Sequence, residues 1–387
     1  MASLLVNNCR LYHAPETGSI CSVLVQDGKI ERIGPVDPNP TASRILDARG
    51  AILAPGLIDV HIQGAGGADV LDATPEALQA ISQTCARFGV TGFLATTVYK
   101  TAGENRHLSV AADAVGRDLG GARLLGVHLE GPCISLEKRG MIQPQCLAAP
   151  SSALLDDIYG LLGNTLKMMV VAPELPGSTE IIKMLVARGT IACLGHSNAT
   201  YDQAKSGLEA GITHITHLFN AMPSLHHRHP GPLGAIFEAE NVTCQVITDG
   251  VHIHPSVIRM VWRLLGPERV VAITDGMQAM GLPDGKYVYN DIEYEARNGA
   301  ARYADGTLIG TAVGLNQILA RLIAFTGCPL AAAVNSVTQN AARVLDISQT
   351  TGSLDVGKDA DLVLLDDDLS VNATIVGGQI VYDRPAE

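Results

Sequence analysis

Aromatic and charged residues are scarce in this chain of 387 residues: they make up 4% and 17% of it, against 47% hydrophobic residues. So few aromatic rings leave little material for stacking nucleic-acid bases. The charge that is present is mainly acidic, with a formal net charge of -12, so phosphate backbones and anionic membranes would repel the chain. We therefore expect no nucleic acid and no membrane as partners, while a local basic patch could still bind a small anion.

The chain also lacks the usual marks of export and membrane insertion. Its eight cysteines form no C-x-x-C pair, and its first residues have neither a basic start nor a long apolar stretch. No apolar run approaches the roughly 18 residues that a membrane span needs. These absences predict a cytoplasmic protein with reduced, mostly buried thiols.

A repeated pattern occupies the middle of the chain. Eight short apolar runs rich in β-branched residues are each followed by a helix-like segment, which predicts a parallel sheet covered on both faces. Eight such units in about 250 residues favour a (β/α)8 TIM-type barrel. A doubly wound open sheet is the competing fold, but no G-x-G-x-x-G motif follows the first run. The runs are 56–61, 90–97, 123–130, 166–174, 190–197, 213–219, 243–250 and 269–276.

Both ends of the chain alternate in the manner of β-strands. Turn signals at Asp27-Gly28 and Pro38-Asn39-Pro40 separate the first strands, and glycine-rich breaks separate the last. We expect residues 1–53 and 349–387 to form one small β domain. Residues 54–348 would then form an α/β barrel domain.

Polar residues capable of chemistry stand where the predicted barrel strands end. The carboxyl ends of the strands form the active-site face of such a barrel. Any one of these residues alone is more often a hydrogen-bonded interior group. Together, from segments far apart in the chain, they indicate a site: His61, Glu130, His196, His217, Asp249, His252 and Asp275.

The types of these residues indicate a metal-dependent hydrolase. Two neutral imidazoles and a carboxylate, as Glu130, His196 and His217 would supply, suit Zn2+ or a similar divalent ion and leave a position open for water. Asp275 could accept the proton of an attacking water and then protonate a leaving amine, although it could also cap a helix. His252 could contact a substrate, while Asp249 is more typical of a structural group.

The first strand carries half of a metal-ligand pair. His61 is followed two residues later by Gln63, whose neutral amide is a weaker ligand for zinc-like metals than an imidazole. We expect one well-occupied metal, with His61 lining the site or weakly supporting a second ion. His128 and His214 are interpreted as core residues or as residues behind the ligands.

A loop rich in histidine, 220–234, follows the sixth predicted strand. Arg228 in this loop could bind a phosphate or carboxylate in a bidentate manner, and backbone amides near Asn220 and Ala221 could add donors. A solvated basic loop is an equally good interpretation of the spacing alone. Next to a metal site in so acidic a chain, however, the cationic cluster favours an anionic substrate.

The blocks "LLGVHLEGP", "LGHSNATYDQA", "ITHLFNAMPSLHHRHPG", "ITDGMQAMGLPDG" and "GSLDVGKDADLVLLD" resemble the N-acetylglucosamine-6-phosphate deacetylases of the amidohydrolase superfamily. The resemblance covers nearly the whole chain. Relatives that act on N-acetylgalactosamine-6-phosphate share these blocks. The resemblance implies a homodimer whose subunits each combine a (β/α)8 barrel with a β-sandwich built from both termini. We expect one divalent metal per subunit, Zn2+ before Fe2+, Co2+ or Mn2+.

The resemblance also implies roles for residues. Glu130, His196 and His217 would bind the metal, and Asp275 would be the acid and base of a metal-assisted hydrolysis of the acetamide. The substrate would be an amino-sugar phosphate contacted by His252, with its phosphate near Asn220 and the Ala221 backbone. Arg228 would reach the substrate of the neighbouring subunit.

One departure from the family bears on the reaction. The family has a histidine in the loop after "HLEGP" that helps to polarise the carbonyl, whereas this chain has Ile142, with Gln143 one residue on. A different N-acyl substrate is therefore an alternative, with Gln143 as a candidate substrate contact. A non-catalytic barrel scaffold is a third hypothesis, against which the presence of all four residues Glu130, His196, His217 and Asp275 argues.

Overall fold

A computed structural model describes residues 3–14, 20–36 and 42–385 of the protein. The predicted turn at Pro38-Asn39-Pro40 lies outside these residues. Within the described part of the chain, no helix is long and apolar enough to cross a membrane.

Eight parallel strands in the middle of the chain form one sheet, in which each strand pairs with the next along the chain. Nearly all of their residues are buried, as expected for apolar runs covered on both faces. This confirms the predicted barrel. The strands are β1 (Leu57–Ile62), β2 (Val90–Thr97), β3 (Arg123–Leu129), β4 (Leu166–Val171), β5 (Ile191–Leu194), β6 (His214–Ile215), β7 (Thr243–Ile247) and β8 (Val270–Ile273).

Contacts between β1 and the end of β8 close the barrel. The backbone N–H of Asp275 donates to the carbonyl of His61 at 3.0 Å. Beside this bond the fully buried carboxylate of Asp59 accepts a hydrogen bond from the Thr274 hydroxyl at 2.5 Å. Burial raises the pKa of Asp59 to about 6, and the hydrogen bond from Thr274 acts in the opposite direction. The closure therefore places His61 and Asp275 side by side.

Helices follow the strands and cover the outside of the barrel. Several begin at capping residues, as with Thr200, which exchanges hydrogen bonds with Gln203 in a capping box. The helix-like segments predicted after the eight strands are thus confirmed as helices. They are α1 (Pro75–Arg87), α2 (Arg106–Ala114), α3 (Ser152–Leu162), α4 (Ser178–Ala187), α5 (Tyr201–Ala210), α6 (Gly231–Glu238), α7 (Pro255–Leu265) and α8 (Leu315–Thr326), then Leu330–Ser336 and Gln339–Val344, with 3-10 turns at Val70–Asp72, Leu136–Lys138, Pro144–Cys146 and Gly163–Thr165.

Strands from both ends of the chain meet in a second sheet, separate from the barrel. It has its own hydrophobic core, to which residues such as Leu4, Val23 and Leu362 contribute. The turn at Asp27-Gly28 is present, and both residues have the positive φ that a tight hairpin requires. The predicted meeting of the two ends is therefore observed, and the exact domain boundaries stay a prediction. The strands are Ser3–Leu11, Cys21–Gln26, Lys29–Pro35, Arg44–Asp47, Ile52–Pro55, Leu362–Leu365, Val371–Val376 and Gln379–Asp383.

An antiparallel sheet between β8 and α8 was not predicted from the sequence. Its strands are Gly285–Tyr289, Ile292–Arg297, Ala300–Tyr303 and Leu308–Thr311. The first two strands alternate exposed with less exposed residues, and the turns after them use Asn290-Asp291 and Asn298-Gly299, all with positive φ. Those turn signals were available in the sequence. A smaller ribbon of Gly64–Ala65 and Ala68–Asp69 follows β1.

The closure between β1 and β8 gives a testable prediction. Thr274→Val removes the hydroxyl that donates to buried Asp59, and a buried acceptor left unpaired costs about 1–3 kcal/mol. We expect a lower thermal midpoint by calorimetry. Exposed Thr213 provides the matched control, since Thr213→Val should leave the midpoint unchanged. Equal midpoints for both variants would contradict the role given to Thr274.

Candidate active site

The ends of β3, β5, β6 and β8 bring four of the predicted residues together with His61 at one end of the barrel. Each of these five residues is at least nine-tenths buried. His196, His217 and Asp275 have φ values of 47°, 25° and 51°, in the left-handed region that side chains other than glycine rarely adopt. Such strain persists only where the surroundings enforce it, and it concentrates at functional sites.

Three ligand atoms converge on one point. The Nε2 atoms of His196 and His217 lie 3.1 and 3.0 Å from Oε1 of Glu130, and 3.0 Å from each other. Ligands bound at about 2.0–2.1 Å to one tetrahedral zinc ion lie roughly 3.3 Å apart, so the spacing fits a shared cation. Lone pairs brought this close would repel one another unless a proton or a cation lay between them.

The protonation states at this cluster also suit a metal. Burial alone would raise the pKa of Glu130, but the charge of His61 and the hydrogen bonds with His196 and His217 hold it well below its usual range. Burial lowers the pKa of His217, although Glu130 acts against this. An ionised carboxylate and a neutral imidazole are the forms that bind divalent metals.

The loop after β5 is held in place by two neighbouring segments. Nδ1 of His196 lies 2.9 Å from the carbonyl of Lys138, to which it donates, so its Nε2 is left as the ligand atom. The carboxylate of Glu174, just after β4, accepts from the Ser197 hydroxyl at 2.7 Å and from the Asn198 N–H at 2.6 Å. Sequence reasoning gave Glu174 no role, although it stands at a strand end like the others.

His61 lies between the carboxylates, with Nε2 3.2 Å from Asp275 and 3.4 Å from Glu130. These distances bring opposite charges together without good hydrogen-bond geometry. Burial lowers the pKa of His61, but the charges of Asp275 and Glu130 outweigh it and raise the value to about 9. Its Nδ1 lies 2.9 Å from Oε1 of Gln245. His61 therefore lines the site between two carboxylates that favour its charged form.

Gln63 takes part through its amide nitrogen. Nε2 donates to Oε2 of Glu130 and to Oδ1 of Asp275, both at 3.4 Å, while Oε1 is buried without a partner among the described residues. The atom that faces the two carboxylates is thus the amide nitrogen, which is a hydrogen-bond donor and not a metal ligand. The backbone at Asp275 passes so close to residue 310 that only glycine fits there, since a Cβ on Gly310 would lie 2.5 Å from the carbonyl oxygen of Asp275.

Asp249 orients His252. Its carboxylate accepts from Nδ1 of His252 at 2.7 Å and from the N–H groups of Val251 and His252 at 2.9 Å. Burial would raise the pKa of Asp249, but the hydrogen bond and charge of His252 hold it below its usual value. Nε2 of His252 is the ring atom left for another contact. His128 and His214 are fully buried and bond to Val60 and Thr243.

The remaining candidates lie farther from the cluster. Asn220 donates to the carbonyls of His217 and Leu218 at 3.3 Å, and Ala221 accepts from the Ser197 N–H at 3.1 Å with a φ of 53°. Arg228 is on an exposed loop with Nη1 2.7 Å from His227.

The side chain of Gln143 points to the inserted sheet of residues 285–311. Its Nε2 donates to the carbonyl of Asn290 at 2.6 Å. Its neighbour Ile142 is buried, with 1% of its surface exposed. The loop after β3 is thus joined to the hairpin at Asn290-Asp291, and the role of Gln143 toward a substrate stays a prediction.

Comparisons with known proteins agree with this geometry. The amidohydrolase family matches residues 52–381. The N-acetylglucosamine-6-phosphate deacetylase of Bacillus subtilis is 35% identical, over 98% of this chain and 97% of the relative. The N-acetylgalactosamine-6-phosphate deacetylase of Escherichia coli O157:H7 is 33% identical, over 92% and 93%.

A solved structure extends the likeness to the whole fold. The N-acetyl-D-glucosamine-6-phosphate deacetylase of Mycobacterium smegmatis, in complex with N-acetyl-D-glucosamine-6-phosphate, superimposes with a TM-score of 0.88 and 32% identity, covering 98% of this chain and 99% of that one. The chain therefore belongs to the amidohydrolase family, in the group of the amino-sugar-6-phosphate deacetylases.

Proposed function

We propose that the protein hydrolyses the acetamide of an N-acetyl amino-sugar 6-phosphate, most simply N-acetylglucosamine-6-phosphate, to the amino-sugar phosphate and acetate. The observation that carries the proposal is the convergence of Glu130, His196 and His217 on one point, with Asp275 in the same buried group. The relatives named above support the substrate class. Hydrolysis of another N-acyl group, and a scaffold without activity, are the alternatives that the assay below separates.

Glu130, His196 and His217 are the residues proposed to hold one divalent ion per subunit, with Zn2+ expected before Fe2+, Co2+ or Mn2+. When bound, such an ion polarises a carbonyl and lowers the pKa of water. Gln63 is not among the proposed ligands, because its amide nitrogen faces the carboxylates. Glu130 and Asp275 favour the charged form of His61 between them, which would disfavour a second cation there.

Asp275 is the proposed acid and base. Its carboxylate takes the proton of the attacking water and later delivers a proton to the departing amine, which a hydrogen-bonded group at this position can do. The Asp275 N–H bonds to His61 and its carbonyl accepts from the Thr311 N–H at 2.8 Å, so the backbone holds the carboxylate in place. Gln63 and His61 orient it from one side.

The substrate phosphate is proposed to bind near Asn220 and the backbone of Ala221, with His252 contacting the sugar. Asp249 fixes the ring of His252 so that Nε2 can reach a ligand. Arg228 is exposed on a loop that also carries three histidines, which supports a role outside its own subunit. We propose a homodimer in which Arg228 reaches the phosphate in the neighbouring site.

A cytoplasmic location is part of the proposal. All eight cysteines are free and most are buried, which fits a reducing compartment. A small anionic sugar phosphate is then the expected partner, instead of a macromolecule.

The carboxylate of Glu174 gives a prediction about metal binding. Glu174→Ala removes the acceptor that fixes Ser197 and Asn198, and loss of a group that orients a ligand costs about 10–100-fold in metal affinity. Competition with a chelating dye measures this affinity. The control Glu209→Ala changes an exposed carboxylate elsewhere and should have no effect. Unchanged affinity in Glu174→Ala would show that His196 needs no such support.

A substrate panel tests the activity itself. We expect acetate release from N-acetyl amino-sugar 6-phosphates, far less from the unphosphorylated sugars, and none after chelation until a divalent metal is restored. Asp275→Asn should keep its metal but lose about 10²–10⁴-fold in kcat, the usual contribution of a general acid and base. Metal content is measured on the same preparations. Protein without metal that releases no acetate when Zn2+ is added would refute the proposed function.

Mixed dimers test the position of Arg228. Arg228→Ala and Asp275→Asn subunits should each have low activity alone, while a mixed dimer would regain one working site, since Arg228 from one subunit would serve Asp275 of the other. Activity is measured after unfolding and refolding the two together. A double variant carrying both changes, mixed with Arg228→Ala, is the control. No gain on mixing would place Arg228 in its own site or outside any site.

A further inference from the structure

Tyr289 is a buried tyrosine of the inserted sheet. It ends the first strand of the inserted sheet, and only 2% of its surface is exposed. Among the described residues, none forms a hydrogen bond with its hydroxyl. A buried tyrosine hydroxyl usually has a partner, and leaving one unpaired costs about 1–3 kcal/mol. A bound ligand could supply the hydrogen-bond partner of the Tyr289 hydroxyl.

Two contacts hold this end of the hairpin at the barrel rim. Gln143, in the loop after β3, donates to the carbonyl of Asn290 at 2.6 Å. Gln278, in the segment after β8, accepts from the N–H of Val288 at 3.1 Å. Tyr289 lies between these two anchored residues. It is thus tied to the segments that follow Glu130 and Asp275.

The charges around the ring agree with this position. Burial, followed by the charges of Asp69 and Glu130, raises the pKa of Tyr289 well above its usual value. The hydroxyl therefore stays protonated and can act only as a neutral group, able to donate. Oδ2 of Asp69 and Oε1 of Gln63 are likewise buried without partners among the described residues. These buried atoms and the Tyr289 hydroxyl are therefore available to form hydrogen bonds with a polar ligand.

We propose that Tyr289 is a catalytic residue whose hydroxyl donates a hydrogen bond to the acyl carbonyl oxygen of the substrate. This inference rests on the proposed amide hydrolysis. As water adds to the carbonyl carbon, the C=O π electrons move to oxygen, and the new negative charge lies in a region rich in carboxylates. A neutral donor that cannot ionise lowers the energy of that charge. Ile142, buried in the neighbouring loop, has no group that could do so.

Tyr289→Phe tests the assignment because it removes one oxygen and keeps the ring. Loss of one donor to a developing oxyanion typically costs about 10²–10³-fold in kcat, and we expect a decrease of that order with little change in KM. Tyr287→Phe is the matched control on the same strand, since its hydroxyl bonds to the carbonyl of Pro283 at 2.6 Å. Metal content is measured for both variants and should match the wild type, and the thermal midpoint of Tyr289→Phe should not fall, because the removed hydroxyl has no partner among the described residues.

A second substrate separates polarisation of the carbonyl from mere positioning. An N-trifluoroacetyl amino-sugar 6-phosphate has an activated carbonyl that depends less on a donor, so the defect of Tyr289→Phe should shrink with it. A wild-type kcat in Tyr289→Phe, a rise in KM alone, or an equal defect with both substrates would each overturn the inference. An inactive wild-type protein would instead refute the proposed function, so the two failures are distinguishable.

Discussion

The buried carboxylate of Glu130 is the group on which the rest of the site depends. An ionised carboxylate out of contact with water is unfavourable by several kcal/mol unless positive or donating groups surround it. Here three imidazole nitrogens lie within 3.0–3.4 Å of one oxygen, and the amide of Gln63 faces the other. The partners come from three strands, β1, β5 and β6, so the carboxylate acquires its environment only when the barrel closes. Folding and assembly of the proposed metal site are thus the same event.

The closure between β1 and β8 connects Glu130 to Asp275, the proposed acid and base. Asp59 and Thr274 lie one layer below the rim and bond across the join, and the next layer up carries His61 and Asp275. Because the bond between their backbones fixes the register, the His61 side chain must lie between Asp275 and Glu130. Glu130 and Asp275 favour a positive charge on His61 at that point, and such a charge would reduce the repulsion between the two carboxylates.

The sequence predicted the parts of this arrangement that follow from strand periodicity. Apolar runs indicated all eight strands, and polar residues at their ends indicated Glu130, His196, His217 and Asp275, because the carboxyl ends of parallel strands meet at one rim. What periodicity cannot predict is contact between loops. Glu174 holds the loop of His196 through hydrogen bonds to side chain and backbone. The sheet of residues 285–311 has clear hairpin turns, but its short, half-exposed strands could not be placed over the barrel without knowing what they touch.

This chain can differ from its relatives more readily in the loops and the inserted sheet than in the barrel. The barrel residues are constrained in number and position by Glu130 and by the closure of β1 on β8. The loop after β3 has no such constraint: it places an isoleucine at 142 and directs Gln143 to Asn290. That contact brings Tyr289 to the rim, next to the segments that carry the chemistry. A hydrogen-bond donor can therefore be lost from the loop after β3 and supplied by the inserted sheet without disturbing the proposed metal ligands, because the loop and the sheet both contact the same rim from outside. Substrate choice and rate in this protein should accordingly follow the hairpin at 285–297 more closely than the barrel strands.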